Sequence, residues 1–300
     1  MHESIRKFRR ELEGFISAER LIDDPLRTLA YGTDASFYRL VPQLVVRVDD
    51  EDELGEILKA ANRYQVPVTF RAAGTSLSGQ AITDSVLLQL SGDGWRDYSV
   101  AQDGSSISLQ PGIIGSRANE ILADYNRKIG PDPASINTAK IGGIAANNSS
   151  GMCCGTAQNS YNTLQSMHVV LVDGTVLDSV DEASVAAFRR AHPKLLEKLD
   201  ALARNTKDND DLREKIRHKY RLKNTTGYSL NALVDFEEPL DVLQHLMIGS
   251  EGTLGFISSI TYRTVPDHPC KATSLILFPD VETACRPWPR SSRHRLPPWS

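Results

Sequence analysis

The sequence predicts an α+β fold in two packed subdomains, and three observations carry that reading. A strand, a helix and a second strand follow one another over residues 44–70, the order of a βαβ unit. A β-branched hairpin pattern, HVVLVDGTVLDS, stands at 168–179. Around these two units, strands and helices mix without the steady alternation that a regular doubly wound parallel sheet requires.

The elements follow in order. Ile5, Phe8, Leu12, Phe15 and Ile16 recur at helical spacing with charges between them, which predicts an amphipathic helix over 3–20. A polar, irregular stretch, DDPLRTLAYGTDASFYRLVP, comes next. LVVRV (44–48) reads as a short strand. Asp49 or Asp50 is placed to cap a helix reaching about Tyr64, with Leu54, Ile57, Leu58 and Ala61 on one face. VPVTF (66–70) and VLLQL (86–90) are strands, SGDG is a turn, and Ile107 to Gln110 is a strand after the turn QDGSS. Ala118, Ile121, Leu122 and Tyr125 predict a helix over 116–128. In the hairpin, Asp173-Gly174 suits a type I′ turn. The charged run 182–220 predicts two or three surface helices, LDVLQHLM (240–247) one more, and GFISSITYRTV (255–265) a strand. ATSLILFPDVETA (272–284) reads as a strand entering a helix. Residues 286–300 then bring four prolines and four arginines with no acid and no period. They read either as a disordered terminus or, given the abrupt change in composition, as an interruption near residue 285 with a later domain missing. No internal repeat is visible.

Composition narrows the function classes. With 300 residues, 40% hydrophobic, 24% charged and a net charge of −4, the chain has an ordinary globular composition. No basic excess suggests nucleic acid. No apolar run approaches the roughly 18–20 residues of a membrane span, and the N-terminus MHESIRKFRRELEGF has no apolar core of a secretory signal. A cytoplasmic protein is the expectation, peripheral association with an inner membrane remaining compatible with it. Cys153, Cys154, Cys270 and Cys285 form no C-x-x-C pair, so reduced thiols are expected and no zinc or iron–sulfur site within this chain.

The chemistry concentrates in three side-chain-poor stretches. After the strand VPVTF, the run RAAGTSLSGQ (71–80) contains one large apolar residue, Leu77. Small residues let backbone N–H groups approach a ligand, and successive N–H groups form an anion-binding concavity. Thr75, Ser76 and Ser78 add hydroxyls and Arg71 a charge. That inventory suits a pyrophosphate, although a tight solvent loop would read alike. The run is neither G-x-x-x-x-G-K-[ST] nor G-x-G-x-x-G, which removes the P-loop and Rossmann readings. The second stretch, GPDPASINTAKIGGIAANNSSGMCCGT (130–156), again gathers small and polar residues. The third, GSEGTLG (249–255), lies between a helix and a strand. Three such loops suggest a long ligand lying over backbone, and a flavin dinucleotide fits that description.

These three motifs, in this order and spacing, resemble the FAD-binding domain of the p-cresol methylhydroxylase (vanillyl-alcohol oxidase) type. Within it they are most similar to the FAD-linked oxidases of D-2-hydroxy acids: D-lactate dehydrogenases, the glycolate oxidase flavin subunit and D-2-hydroxyglutarate dehydrogenases. The stretch HKYRLKNTTGYSLNAL…HLMIGSEGTLGFI (218–257) is similar to large bacterial members fused to an iron–sulfur domain. The resemblance covers roughly residues 30–268. It implies an N-terminal helical segment (1–30), a two-subdomain FAD-binding domain (31–268, with a helical insertion at 182–225) and a truncated or aberrant start of a substrate domain (269–300).

The resemblance also implies site residues. Arg71, Ala72, Ala73, Gly74, Thr75, Ser76 and Ser78, flanked by Gly79 and Gln80, would hold the pyrophosphate. Pro131, Asp132, Ala134, Ser135, Gly142, Gly143, Asn148, Ser149 and Gly151 would run beside the ribityl chain and ring, while Glu251, Gly252 and Ile257 would close over the cofactor. Some relatives carry a flavin-linked histidine in the first loop; Thr75 stands at that place here, which implies noncovalent FAD. Cys153 and Cys154 read as packing thiols rather than flavin links.

The implied reaction is oxidation of a 2-hydroxy acid to a 2-oxo acid with hydride transfer to flavin. A small-molecule 2-hydroxy acid is the expected substrate, and an iron–sulfur domain or subunit a candidate electron acceptor. Substrate ligands and the catalytic base are expected from the domain that follows, so no catalytic residue and no metal ligand is assigned. His168 and His245 read as structural. His218, Lys219, Arg221 and Lys223 read first as a solvated basic face. Lys223-Asn224, however, precede the motif residues Thr225-Thr226-Gly227-Tyr228, where a carboxylate or phosphate would meet this charge, and Tyr228 and Asn231 are weaker candidates for the wall. Two alternatives remain: another FAD-dependent enzyme of the same fold, and a non-catalytic FAD-binding fragment.

Overall fold

A computed structural model describes residues 1–91, 94–270 and 275–285. The chain begins with α1 (Glu3–Leu12), whose face of Ile5, Phe8 and Leu12 is buried. The helix is shorter than the periodicity of 3–20 predicts. Gly14 weakens its continuation, Phe15 is exposed, and only a single 3-10 turn (Ala18–Arg20) follows before β1 (Leu21–Ile22). Next come α2 (Pro25–Ala30), β2 (Leu44–Val48), α3 (Glu51–Tyr64), β3 (Val68–Arg71) and β4 (Val86–Leu90). The α3 helix starts where a capping carboxylate permits: Asp50 Oδ1 accepts from Glu53 N at 2.8 Å. It stops at Gln65, which is left-handed at φ 53°.

The first sheet runs in the order β1-β2-β4-β3. The strand–helix–strand unit is real, but its two strands are not neighbours. β2 and β3 both pair in parallel with β4, which lies between them. Leu44, Val46, Leu88 and Leu90 pack with Leu54, Ile57 and Leu58 of α3 and with Phe8 of α1, while Val45 and Leu87 face the other side with Ile22. A parallel strand buried on both faces explains the nearly continuous apolar run LVVRV.

The second sheet is antiparallel and uses β5 (Tyr98–Val100) and β6 (Ser106–Leu109). Then follow α4 (Gly115–Leu122), β7 (Arg127–Lys128), α5 (Ile141–Asn147), α6 (Ser160–Thr163), β8 (Leu164–Val170) and β9 (Val176–Asp178). The helix expected over 116–128 ends at Leu122: a 3-10 turn intervenes, Asn126 is left-handed, and Tyr125 is exposed rather than inward. The hairpin stands, with β8 antiparallel to β9, but its turn is not type I′. Gly174 N donates to Leu171 O at 2.8 Å, and Gly174 is left-handed (φ 78°) whereas Asp173 is not. The turn is thus centred on Val172-Asp173, with glycine taking the single position that needs positive φ.

The charged run forms three helices, α7 (Glu182–Ala191), α8 (Pro193–Asp208) and α9 (Asp210–Lys219); α10 (Ala232–Asp235) and α11 (Pro239–Met247) follow. β10 (Phe256–Arg263) enters the middle of the second sheet, whose order is β5-β6-β10-β8-β9. β11 (Val265–Pro266) pairs with β7. Residues 275–280 form no strand, and 281–285 form the short α12 (Val281–Cys285). The rest of the expected strand, and residues 286–300, lie outside the described residues. The two sheets meet where Val170 and Phe256 of the second pack into the core of the first. There Phe256 packs between Phe70 (centroids 5.0 Å, rings tilted by 49°) and Trp95 (5.2 Å, edge-on).

Candidate functional site

Beside this meeting point lies a cleft of 690 Å³, within the usual range for small-molecule and cofactor sites. All three side-chain-poor stretches reach it. Every candidate residue of the first stretch lines it except Gly79, which instead packs against the Tyr38 ring. From the second stretch, Ala134, Ser135, Gly142, Gly143 and Ser149 line it. From the third, Glu251, Gly252 and Ile257 do.

The first loop leaves the end of β3 as an irregular segment. Gly74 is left-handed (φ 70°), and a Cβ there would lie 2.6 Å from the Arg71 guanidinium. That guanidinium folds under the loop, where Nη1 donates to Tyr31 O at 3.0 Å near Asp34. Arg71 therefore anchors the loop rather than projecting charge from its rim. Ala72 O is held by Gln89 Nε2 at 3.0 Å, and Ser76 Oγ bonds to Gln80 Oε1. The N–H groups of Gly74, Thr75 and Ser76 make no hydrogen bond within the described chain. Unpartnered amides on a cleft wall are what an anionic ligand needs.

The second wall is the short helix α5 and its approach. The sequence reads this stretch as loop; adjacent Gly142 and Gly143 are poor helix formers, and packing overrides them. Their smallness is used. A Cβ on Gly142 would come 2.6 Å from Pro111 Cβ, and one on Gly143 4.0 Å from Ala72 Cβ. Pro131, Asp132, Asn148 and Gly151 do not line the cleft. Asn148 is 6% exposed, left-handed, and accepts from Tyr161 N at 3.4 Å. Gly151 lies so close to Asp132 O that a Cβ would fall 1.5 Å from it.

The third loop closes the cleft through α5. Gly249 N and Glu251 N donate to Ala145 O (3.3 Å) and Ala146 O (2.9 Å). Asn147 Nδ2 donates to Glu251 Oε1 at 2.5 Å, and Ser149 Oγ to Asn147 Oδ1 at 2.7 Å. Glu251 is left-handed at φ 53°, a strained state for a residue with a side chain. Burial pushes its carboxyl above the ordinary range, against the lowering effect of Asn147. Ser250 lines the cleft with its hydroxyl buried and unpartnered. Gly252 (φ 78°) packs directly on Phe70.

Several lining residues carry no local sequence signal. Phe70, Leu90 and Phe256 supply an apolar wall, and Lys140 a half-buried cation. Thr225 and Thr226, motif residues in the sequence, do reach the cleft from the segment after α9, which is held by Tyr228 Oη to Thr253 Oγ1 at 2.8 Å. Tyr228, Asn231 and the basic residues His218, Lys219, Arg221 and Lys223 do not line it. His245 is stacked on Phe236 (3.9 Å) and bonded through Nδ1 to Asp241 O, while His168 faces Glu51; neither lines the cleft. All four cysteines are free, and no cluster of metal-ligating side chains occurs among the described residues. No described helix is long and apolar enough to cross a membrane.

The residues present fit FAD. The unpartnered amides and orphaned Ser250 hydroxyl offer donors to phosphates and sugar, and the glycines leave open a space that side chains would fill. Phe70, Phe256 and Ile257 offer an apolar wall. Comparison with known proteins agrees. Residues 42–179 match the family described as FAD binding domain. D-lactate dehydrogenase of Archaeoglobus fulgidus is 25% identical over 254 residues, 85% of this chain and 46% of that protein. D-2-hydroxyglutarate dehydrogenase of Haemophilus influenzae is 25% identical over 85% of this chain and 24% of its own length. Glycolate oxidase subunit GlcD of Escherichia coli is 26% identical over 83% and 40%. The chain thus spans less than half the length of these relatives. Among solved structures, an alkyldihydroxyacetonephosphate synthase superposes with a TM-score of 0.57 at 18% identity, covering 87% of this chain and 41% of its own. A chitooligosaccharide oxidase superposes with a TM-score of 0.53 at 13% identity, covering 88% and 44%. Residues 42–179 are therefore an FAD binding domain, and the chain takes the two-subdomain FAD-binding fold of the p-cresol methylhydroxylase type, with FAD as its cofactor.

Proposed function

We propose that this protein is the flavin-binding part of an oxidoreductase that converts a D-2-hydroxy acid, of the D-lactate or D-2-hydroxyglutarate type, to its 2-oxo acid. The observation that carries the reading is the convergence of three side-chain-poor loops on one cleft, together with relatives named for that chemistry. FAD, when bound, supplies the two-electron acceptor for the substrate's hydride. The chain's own residues bind and orient it. In this reading the amides of Gly74, Thr75 and Ser76 hold phosphate. Asn147, Ser149 and Glu251 form one hydrogen-bonded unit that fixes the third loop against the second. Phe70, Phe256 and Ile257 exclude water from the ring's side of the cleft. Thr75 offers no side chain suited to a flavin link, so the cofactor is held noncovalently. An iron–sulfur domain or subunit is the proposed electron acceptor, and the base and substrate ligands are proposed to come from outside the residues described.

A second reading, an FAD-binding module without turnover of its own, is favoured by the chemistry of the cleft. Among the described residues its titratable lining side chains are Arg71, Lys140 and Glu251, with no histidine. The test is anaerobic reduction of the FAD-reconstituted protein by a panel of D- and L-2-hydroxy acids, followed by flavin absorbance. Bleaching by a D-acid and not its L-enantiomer is the expected result for the first reading. A yellow protein that no 2-hydroxy acid bleaches supports the second, and a protein that takes up no FAD defeats both.

A further inference from the structure

Three charged side chains line the cleft among the described residues: Arg71, Lys140 and Glu251. Two are engaged within the chain, Arg71 with Tyr31 O and Glu251 with Asn147. Lys140 accepts through its backbone carbonyl from Ile144 N at 3.0 Å, but its ammonium has no hydrogen-bond or ion-pair partner among the described residues. It is half-buried, and its electrostatic neighbour is a second cation, Arg96. Burial first, and Arg96 second, hold its ammonium below the ordinary lysine range. A partly desolvated ammonium beside a like charge destabilises the fold unless an anion completes it.

Its position says which anion. Lys140 immediately precedes α5, whose Gly143 stands 4.0 Å from Ala72 by the distance a Cβ would have, and whose Gly142 packs on Pro111. Lys140 thus lines the same cleft as the first loop, whose Gly74, Thr75 and Ser76 amides are unpartnered within the described chain. The pyrophosphate is the part of FAD that carries formal negative charge. An ammonium on a flexible stem is a compact point charge well matched to a phosphate oxygen.

We propose that Lys140 is the charged ligand of the FAD pyrophosphate, completing on the second wall the phosphate site that the first loop's amides begin. The inference rests on the cleft being the FAD site. It assigns the cleft's unengaged cation to the cofactor rather than to a substrate carboxylate, and it relieves Arg71, anchored beneath the loop, of that role.

The experiment is FAD titration of the flavin-free full chain by fluorescence quenching, with Lys140→Ala and Lys140→Arg beside the parent, over a range of salt. Lys140→Ala weakens FAD binding about ten- to a hundredfold, and Lys140→Arg restores most of it. The parent's affinity falls with salt more steeply than that of Lys140→Ala, by about one phosphate contact. Without FAD, Lys140→Ala melts no lower than the parent, because it removes a half-buried charge that lacks a partner. Unchanged FAD affinity in Lys140→Ala overturns the proposal. So does a loss with unchanged salt dependence, or a loss that merely follows a lower melting temperature. A parent chain that takes up no FAD overturns the reading of the cleft, and this contact with it.

Discussion

Gly252→Ala tests the geometry of the closing loop most directly. Gly252 has φ 78°, and a Cβ there would lie 2.9 Å from Phe70 Cδ2. Two costs follow. A side chain in that backbone region costs about 1 kcal/mol or somewhat more. The approach to Phe70 is an overpacking, about 1–3 kcal/mol where the neighbour cannot yield. Phe70 has little room, since its ring is packed on Phe256 at 5.0 Å and Phe256 on Trp95. The sum is about 2–4 kcal/mol, read as lost stability if the loop holds or as lost FAD affinity if it moves. Urea unfolding of the flavin-free chain and FAD titration together capture both. Gly227→Ala is the control: its φ is 138°, but nothing lies within 4 Å of the added methyl, so it shows strain without the clash. Phe70→Leu in the Gly252→Ala background should recover part of the loss. If Gly252→Ala matches the parent in both stability and FAD affinity, or if Phe70→Leu gives no recovery, the packing argument fails.

Other outcomes follow from the same geometry. Glu251, with its carboxyl raised by burial, binds its proton more tightly folded than unfolded. Its contribution to stability is therefore complete below the ordinary carboxylate range and declines as pH rises through the folded-state value. Glu251→Gln should flatten that decline in urea midpoints measured from acid to neutral pH, and an unchanged slope would place the pH dependence elsewhere. Trp95→Phe removes the bond from Nε1 to Val48 O at 2.9 Å. Ser91 N still donates to that carbonyl at 3.0 Å, so the cost is held to about 1–2 kcal/mol. A loss well above that range in urea unfolding would mean that ring packing against Phe256, not the hydrogen bond, dominates.

Much of the first subdomain is legible from local pattern. The strands at 44–48 and 86–90 and the start of α3 at an Asp50 cap follow from β-branched runs and a capping carboxylate. The three helices within 182–220 follow from their charged periodicity. The site is legible as composition: loops stripped of bulk at three places in the chain lie together in the folded protein. Less legible is which of their residues face the cleft. Asn148 and Gly151 carry the same small or polar character as Ser149, but Asn148 is buried and Gly151 packs against Asp132 O, and neither lines the cleft. Lys140 looks like any solvated lysine, because its isolation depends on which residues other segments bring beside it.

The sequence by itself determined where the chain turns, which runs can be strands or helices, and that three stretches are kept free of side chains. These are consequences of backbone preference and periodicity within a few residues. Only the tertiary structure decided that β4 lies between β2 and β3, that Gly142 and Gly143 belong to a helix, and that Arg71 is drawn under its loop to Tyr31. It also decided that Glu251 is held by Asn147, a residue 104 positions away. Strand order and the partners of buried polar groups are set by which surfaces can be buried together, and that choice is made among segments far apart in the chain.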